Sequence, residues 1–235
     1  MDSSIRVNNL TVARQKKIIL DSISIDIPAG TICGLLGPSG SGKTTLIRSI
    51  VGLQKITSGK IEVLGFAVGA KALRNLIGYS TQVSSIYGDL TCLENINFYL
   101  SLHPRSEQSA GELLEKVDLM EQAHQIADSL SGGERSRLSF ASALVGTPKV
   151  LILDEPTVGL DPLLRREIWE VIRQLAADGV TILITSHVLD EAENCNQIIL
   201  LRNGKILATG TPQALKRASK KEAMEEVFIS LVEKR

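Results

Sequence analysis

Eight residues, Gly-Pro-Ser-Gly-Ser-Gly-Lys-Thr at positions 37–44, have the types and spacing of a phosphate-binding loop. Gly37, Gly40 and Gly42 let the backbone curl so that loop N–H groups point inward, with Pro38, Ser39 and Ser41 filling the positions between them. A helix opening near Lys43 and running through Thr44 and Thr45 adds its positive dipole end to the same anion. In that arrangement Lys43 reaches the β- and γ-phosphates of a nucleotide, and the Thr44 hydroxyl ligates Mg2+. A loop of this kind asks for a strand before it and a helix after it.

Three further groups bear on the same chemistry. The run Val150–Pro156 is four apolar residues ending in Asp154 and Glu155, so that a buried strand delivers two carboxylates to its end. Asp154 there completes a magnesium site, and Glu155 orients or deprotonates an attacking water. Leu183–His187 is a second apolar run, and it delivers His187 to the edge where open α/β sheets bind ligands. Leu130–Glu134, read Leu-Ser-Gly-Gly-Glu, looks like another anion cradle at a helix start. No Gly-Lys-Thr follows it, so it is not a second phosphate loop of the first kind. Taken by themselves, its residues serve equally well as a glycine-containing turn, and Gln82 alone reads as a solvent-facing side chain.

The surrounding patterns supply the elements those residues need. Ile23, Ile25 and Ile27 alternate with polar residues, as in a half-buried strand. Thr31–Leu36 is an apolar run suited to a strand covered on both faces. Leu46, Ile47, Ile50 and Val51 fall on one helical face, with Gly52 as its stop. From about Val83 to Val145 the spacing is mostly helical, in segments 92–102, 110–120 and 135–145. Asp161-Pro162 supplies an N-cap and a first-turn proline for a helix ending at Asp178-Gly179. Asn203-Gly204 turns a hairpin, and an amphipathic helix closes the chain. The expected fold is α/β, a phosphate-loop NTPase core of the RecA-like kind, with an N-terminal antiparallel β subdomain and an inserted α-helical subdomain. One domain spans 1–235: residues 1–82 and 146–235 form the core and β subdomain, 83–145 the helical insertion, and 211–235 a helical tail.

Composition excludes several classes. Lys+Arg and Asp+Glu stand at 26 each, so no net field draws the chain to nucleic acid. Aromatics make up 3%, too few for a base-stacking surface. Cys33, Cys92 and Cys195 are odd in number and widely spaced, which suits small buried hydrophobes in a reducing compartment better than disulfides or a zinc site. The N-terminal segment has no apolar core, and no apolar run approaches the roughly 18 residues of a membrane span, so neither a secretory leader nor a spanning helix is expected. The guanine-reading Asn-Lys-x-Asp pattern of GTPase switches is absent from the sequence.

Together these residues resemble the ATPase subunits of ABC transporters over nearly the whole chain. Residues 37–45 match the Walker A loop, Gln82 the Q-loop, 130–134 the family signature, 150–155 Walker B, Gly159–Asp161 the D-loop and His187 the switch histidine. The resemblance implies two such subunits facing head to tail around two Mg2+-bound ATP molecules. Each ATP lies between the Walker A loop of one subunit and Ser131, Gly132 and Gly133 of the other. It further implies that Asp154 and Gln82 serve the metal, Glu155 is the general base, His187 grips the γ-phosphate and Asp161 lines the dimer interface. The partners implied are a second ABC ATPase subunit, as a homodimer, and a separate integral membrane permease that holds the chain at the cytoplasmic face of the cell membrane.

The sequence departs from the family pattern twice. Glu134 stands where the signature usually has Gln, as in half-size G-subfamily exporters, and pairing with Arg135 or Arg137 would offset its charge. Arg14 stands at or beside the position of the aromatic that stacks on adenine; a guanidinium also stacks on a base plane, with looser base selectivity. Residues 87–102 and 224–235 resemble the drug, lipid and polysaccharide exporter branch. A soluble ABC ATPase acting on nucleic acid or ribosomes is the alternative, disfavoured by the charge balance and by the single ATPase unit. A non-hydrolysing regulatory subunit is disfavoured because Lys43, Asp154, Glu155 and His187 are all present.

Overall fold

The computed structural model describes residues 3–81, 85–104 and 106–233. In chain order its elements are β1 (Ser3–Arg14), β2 (Lys17–Pro28), β3 (Ile32–Leu36), α1 (Lys43–Ile50), β4 (Ser58–Val63), β5 (Phe66–Ala67), β6 (Ile77–Ser80), α2 (Cys92–Ser101) and α3 (Ala110–Glu115). There follow α4 (Gly132–Ala143), β7 (Val150–Asp154), α5 (Pro162–Ala177), β8 (Thr181–Ser186), β9 (Gln197–Arg202), β10 (Lys205–Gly210), α6 (Pro212–Ser219) and α7 (Met224–Glu233). The chain divides into two compact units, Met1–Leu73 with Thr181–Arg235, and Arg74–Val180.

The first unit follows from two kinds of strand. The alternating isoleucines of β2 are buried at Ile23, Ile25 and Ile27 while the residues between them face outward, which makes a one-faced antiparallel sheet of order β2-β1-β4-β5. By contrast β3 and β8 are buried at every position and pair in parallel, with β9 parallel on the other side of β3. A hairpin returns β9 into antiparallel β10 through Asn203 and Gly204, both at positive φ, the geometry such a two-residue turn needs. Leu46, Ile47 and Ile50 of α1 are fully buried, each stabilising the unit by about 1.5–3 kcal/mol, and α1 packs against β2 and β4. At the end of the chain α7 buries Met224 and Val227 and packs on α6, β10 and the short helical turn Leu189–Asn194.

In the second unit β6 and β7 pair in parallel, from Ile77 opposite Val150 to Ser80 opposite Leu153. Helices α2, α3 and α4 pack on one another, and α4 lies against β6, where the Ser80 and Ser139 hydroxyls share a buried hydrogen bond of 3.1 Å. The approach is so close that a Cβ at Gly78 would run into the Ala143 carbonyl oxygen. The helical spacing read through Met120 ends earlier, at Glu115, because Asp118 turns left-handed at φ 53°. Buried Arg137 of α4 holds that turn: its Nη1 donates to the Val117 carbonyl at 3.0 Å and to the Asp118 carbonyl and carboxylate.

The three cysteines are buried and free. Burial pushes the Cys33 thiol well up and that of Cys195 up to about 12, so neither is a nucleophile at neutral pH. Among the described residues no helix is long and apolar enough to cross a membrane.

Candidate nucleotide site

The phosphate loop leaves β3 at an edge fixed by its neighbours. Leu36 stands opposite Ser186 of β8 and Leu200 of β9, so Gly37 and His187 are the next residues out of adjacent parallel strands. Adjacent strands run about 4.8 Å apart, which sets exposed His187 beside the loop within the first unit. Only a glycine fits at position 37, since a Cβ there would run into the Leu201 carbonyl oxygen. The β9–β10 turn braces the far side, with Gly204 N–H donating to the Ser41 carbonyl at 2.9 Å. Lys43, 6% exposed, donates from Nζ to the Gly37 carbonyl at 2.8 Å and the Pro38 carbonyl at 3.3 Å, drawing the loop over its own ammonium.

What this loop lacks points to its ligand. The Ser41 hydroxyl oxygen is buried without a hydrogen-bond partner, and the space beside Gly40 is open, with nothing within 4 Å of an added Cβ. Gly42, at φ 111°, caps α1 with no side-chain hydrogen bond. Every other α-helix whose N-cap is described has one: Thr91 on α2, Ser109 on α3, Ser131 on α4, Asp161 on α5 and Thr211 on α6. The first amides of a helix need acceptors. Those of α1 face a glycine cradle holding an ammonium and an orphaned hydroxyl, a donor set that fits a chain of phosphates. No group of three or more His, Cys, Asp or Glu that could hold a metal occurs among the described residues. Mg2+ is usually held by one or two oxygen side chains together with substrate phosphates.

Asp154, 4% exposed, ends β7 in the second unit. Glu155 follows half-buried in the left-handed region at φ 55°, a backbone conformation that costs a non-glycine residue about 1–3 kcal/mol and recurs at functional sites. The turn bends the chain immediately after the strand. Asp161 accepts from Leu163 N–H at 2.9 Å and Leu164 N–H at 3.1 Å, so its carboxylate is spent on capping α5. The signature lies against that segment: a Cβ on Gly133 would sit 3.3 Å from Leu160 Cδ2 and 3.8 Å from Leu164 Cδ1. Leu160 is therefore a packing partner of the signature, although its apolar character in the sequence does not single it out.

Two candidate side chains, Glu134 and Arg14, have partners within the chain. Glu134 takes Ser131 as its partner: Ser131 N–H and Ser131 Oγ each donate to Glu134 Oε2 at 2.8 Å, and Glu134 N–H returns a bond to Ser131 Oγ at 3.3 Å. These donors, with a smaller contribution from the Arg137 charge, hold the Glu134 carboxyl below the usual carboxylate range. The arginines are engaged elsewhere, Arg135 with Asp128 at 3.3 Å and Arg137 with Asp118 at 3.1 Å. The Ser-x-x-Glu spacing was the available signal, being that of a capping box. Arg14, for its part, donates to Gln54 Oε1 at 3.3 Å on an exposed face, a partner that sequence spacing does not reveal. Gln82 lies outside the described residues.

In the first unit a glycine cradle opens onto a helix start, and in the second a strand ends in two carboxylates. A protein-family model described as ABC transporter matches residues 20–158, and the chain belongs to that family. It is 44% identical over 195 residues to a probable multidrug ABC transporter ATP-binding protein of Escherichia coli (strain K12), covering 80% of this chain and 34% of that one. With a Nod factor export ATP-binding protein of Neorhizobium galegae it shares 40% over 219 residues, 90% of this chain and 63% of that one. The chain thus spans about a third of the first relative's length and less than two thirds of the second's. A dimeric ATP-binding cassette solved in a post-hydrolysis state with ADP and Pi superposes with a TM-score of 0.81 at 27% identity, covering 88% of this chain and 98% of that one.

Proposed function

We propose that this chain binds and hydrolyses Mg-ATP and that it does so as one subunit of a dimer powering export through a separate membrane permease. The observation that carries the nucleotide reading is the uncapped start of α1 beside the buried, unpartnered Ser41 hydroxyl. The amides of residues 39–45 take the phosphates, Lys43 meets the β- and γ-phosphates, and His187 approaches the γ-phosphate from the neighbouring strand. Thr44 and Asp154 are assigned to Mg2+, and Gln82 takes a metal role only as the family's Q-loop residue. That ion, when bound, neutralises charge on the phosphates. Glu155 is the base that takes the proton of the attacking water. Ser131, Gly132 and Gly133 serve the γ-phosphate held by the partner subunit, and Asp161 lines the interface between the two.

Support for a transport role comes from relatives whose names describe multidrug transport and Nod factor export. The balanced charge weighs against nucleic acid as the partner. An exposed aromatic group in the second unit, Tyr87 edge-on to Phe98 at 4.8 Å with Leu102 nearby on the same helix end, supplies an apolar surface suited to a permease contact.

The purified chain is expected to release phosphate from ATP in the presence of Mg2+ and to stop when the metal is chelated with EDTA. Expressed with its native permease, it should sediment with the membranes. A chain that neither binds a fluorescent ATP analogue nor hydrolyses ATP, with or without Mg2+, contradicts this assignment.

A further inference from the structure

The two glycine-bearing helix starts are finished in opposite ways. The start of α1 is left open. The start of α4 is closed by the chain's own carboxylate, because Glu134 Oε2 accepts both the N–H and the hydroxyl proton of Ser131. A carboxylate there occupies the electrostatic position that an anion would take at a helix N-terminus. The same box recurs at Thr91 with Glu94 and at Ser109 with Glu112, where it simply caps α2 and α3. At α4, however, the capped serine is the one assigned to a γ-phosphate, so carboxylate and phosphate compete for one donor. They also repel each other.

We infer that Glu134 is a positioning residue: it holds the exposed signature serine's N–H and hydroxyl on its own carboxylate and must yield them to the γ-phosphate, which raises the ATP concentration needed to close the dimer and shortens the closed state's life. The inference rests on the proposed contact between the signature and the partner's ATP. Glutamine at position 134 separates charge from structure, since Gln also completes a Ser-x-x-Gln capping box. Its amide oxygen accepts from Ser131 as the carboxylate does, but more weakly and without repelling phosphate.

The experiment titrates Mg-ATP against the mass of the full chain in solution, in a Glu155→Gln background where hydrolysis does not empty the site. Adding Glu134→Gln is expected to lower the ATP concentration at half-dimerisation by about tenfold, equivalent to about 1.4 kcal/mol, and to slow dissociation on dilution. Its thermal midpoint should stay that of the parent, because the cap is kept. Glu112→Gln removes the same charge from the matching box on α3 and should leave the titration unmoved. Equal midpoints with and without Glu134→Gln, in chains that do dimerise, overturn the role of Glu134 and leave the sandwich reading standing. An equal shift from Glu112→Gln also overturns it, by reducing the effect to general charge. Failure of every variant to dimerise with ATP removes the sandwich reading itself, and this inference with it.

Discussion

With glutamine in place of Glu155, steady-state ATP turnover is expected to fall by about 10²–10⁴-fold, the usual contribution of a positioned general base. Nucleotide affinity should remain close to that of the parent. The residue is delivered by a strand whose five positions are all buried, and it sits in a left-handed turn that no ordinary surface glutamate adopts without strain. Glutamine has the same shape and tolerates the same backbone, so the loss reports the proton acceptor rather than the fold. ATP that binds without being cleaved should also accumulate the closed dimer, visible as a doubling of mass with Mg-ATP and not with Mg-ADP. Undiminished phosphate release by Glu155→Gln would transfer the base to another residue.

Lys43→Ala is expected to weaken ATP binding by more than roughly 100-fold, since hydrogen bonds to charged groups each contribute about 1.5–3 kcal/mol and two phosphates are met. Turnover should disappear at ATP concentrations that saturate the parent. The lysine also holds the loop together by donating to the Gly37 and Pro38 carbonyls, so the variant should melt somewhat earlier even without nucleotide. Calorimetric titration of ATP below that melting range separates the two effects. Binding within a few-fold of the parent would mean that the phosphates do not lie on this loop.

Much of this was legible in the sequence because the chemistry is local. The loop 37–44, the apolar run into Asp154 and Glu155, and the Asp161-Pro162 helix start are each short patterns whose residue types dictate backbone geometry. The strands and helices that carry them follow from periodicity, and the buried isoleucines of β2 and the all-buried β3 and β8 are its direct expression. What stayed hidden depends on side chains meeting across distance. Arg14 and Gln54 are forty residues apart in the chain yet share a hydrogen bond. Arg137 is spent on the left-handed turn at Asp118, which also cuts α3 short of its helical spacing. The arginine partners expected for Glu134 were nearest in sequence, but the serine three residues before it lies at the helix N-terminus, where a carboxylate is doubly favoured by amides and dipole.

The signature of one subunit is proposed to complete the nucleotide site of the other. Mixed dimers test it: one subunit carries Lys43→Ala, the other Ser131→Ala, and both carry Glu155→Gln, so that retained ATP can be counted after rapid gel filtration. If the sites are composite, both lesions fall in one site and the mixed dimer retains one ATP. A subunit carrying both lesions, paired with one carrying neither, then damages both sites and retains none. The reverse result, retention by the second pairing and none by the first, would contradict the account and assign each signature to the nucleotide of its own chain.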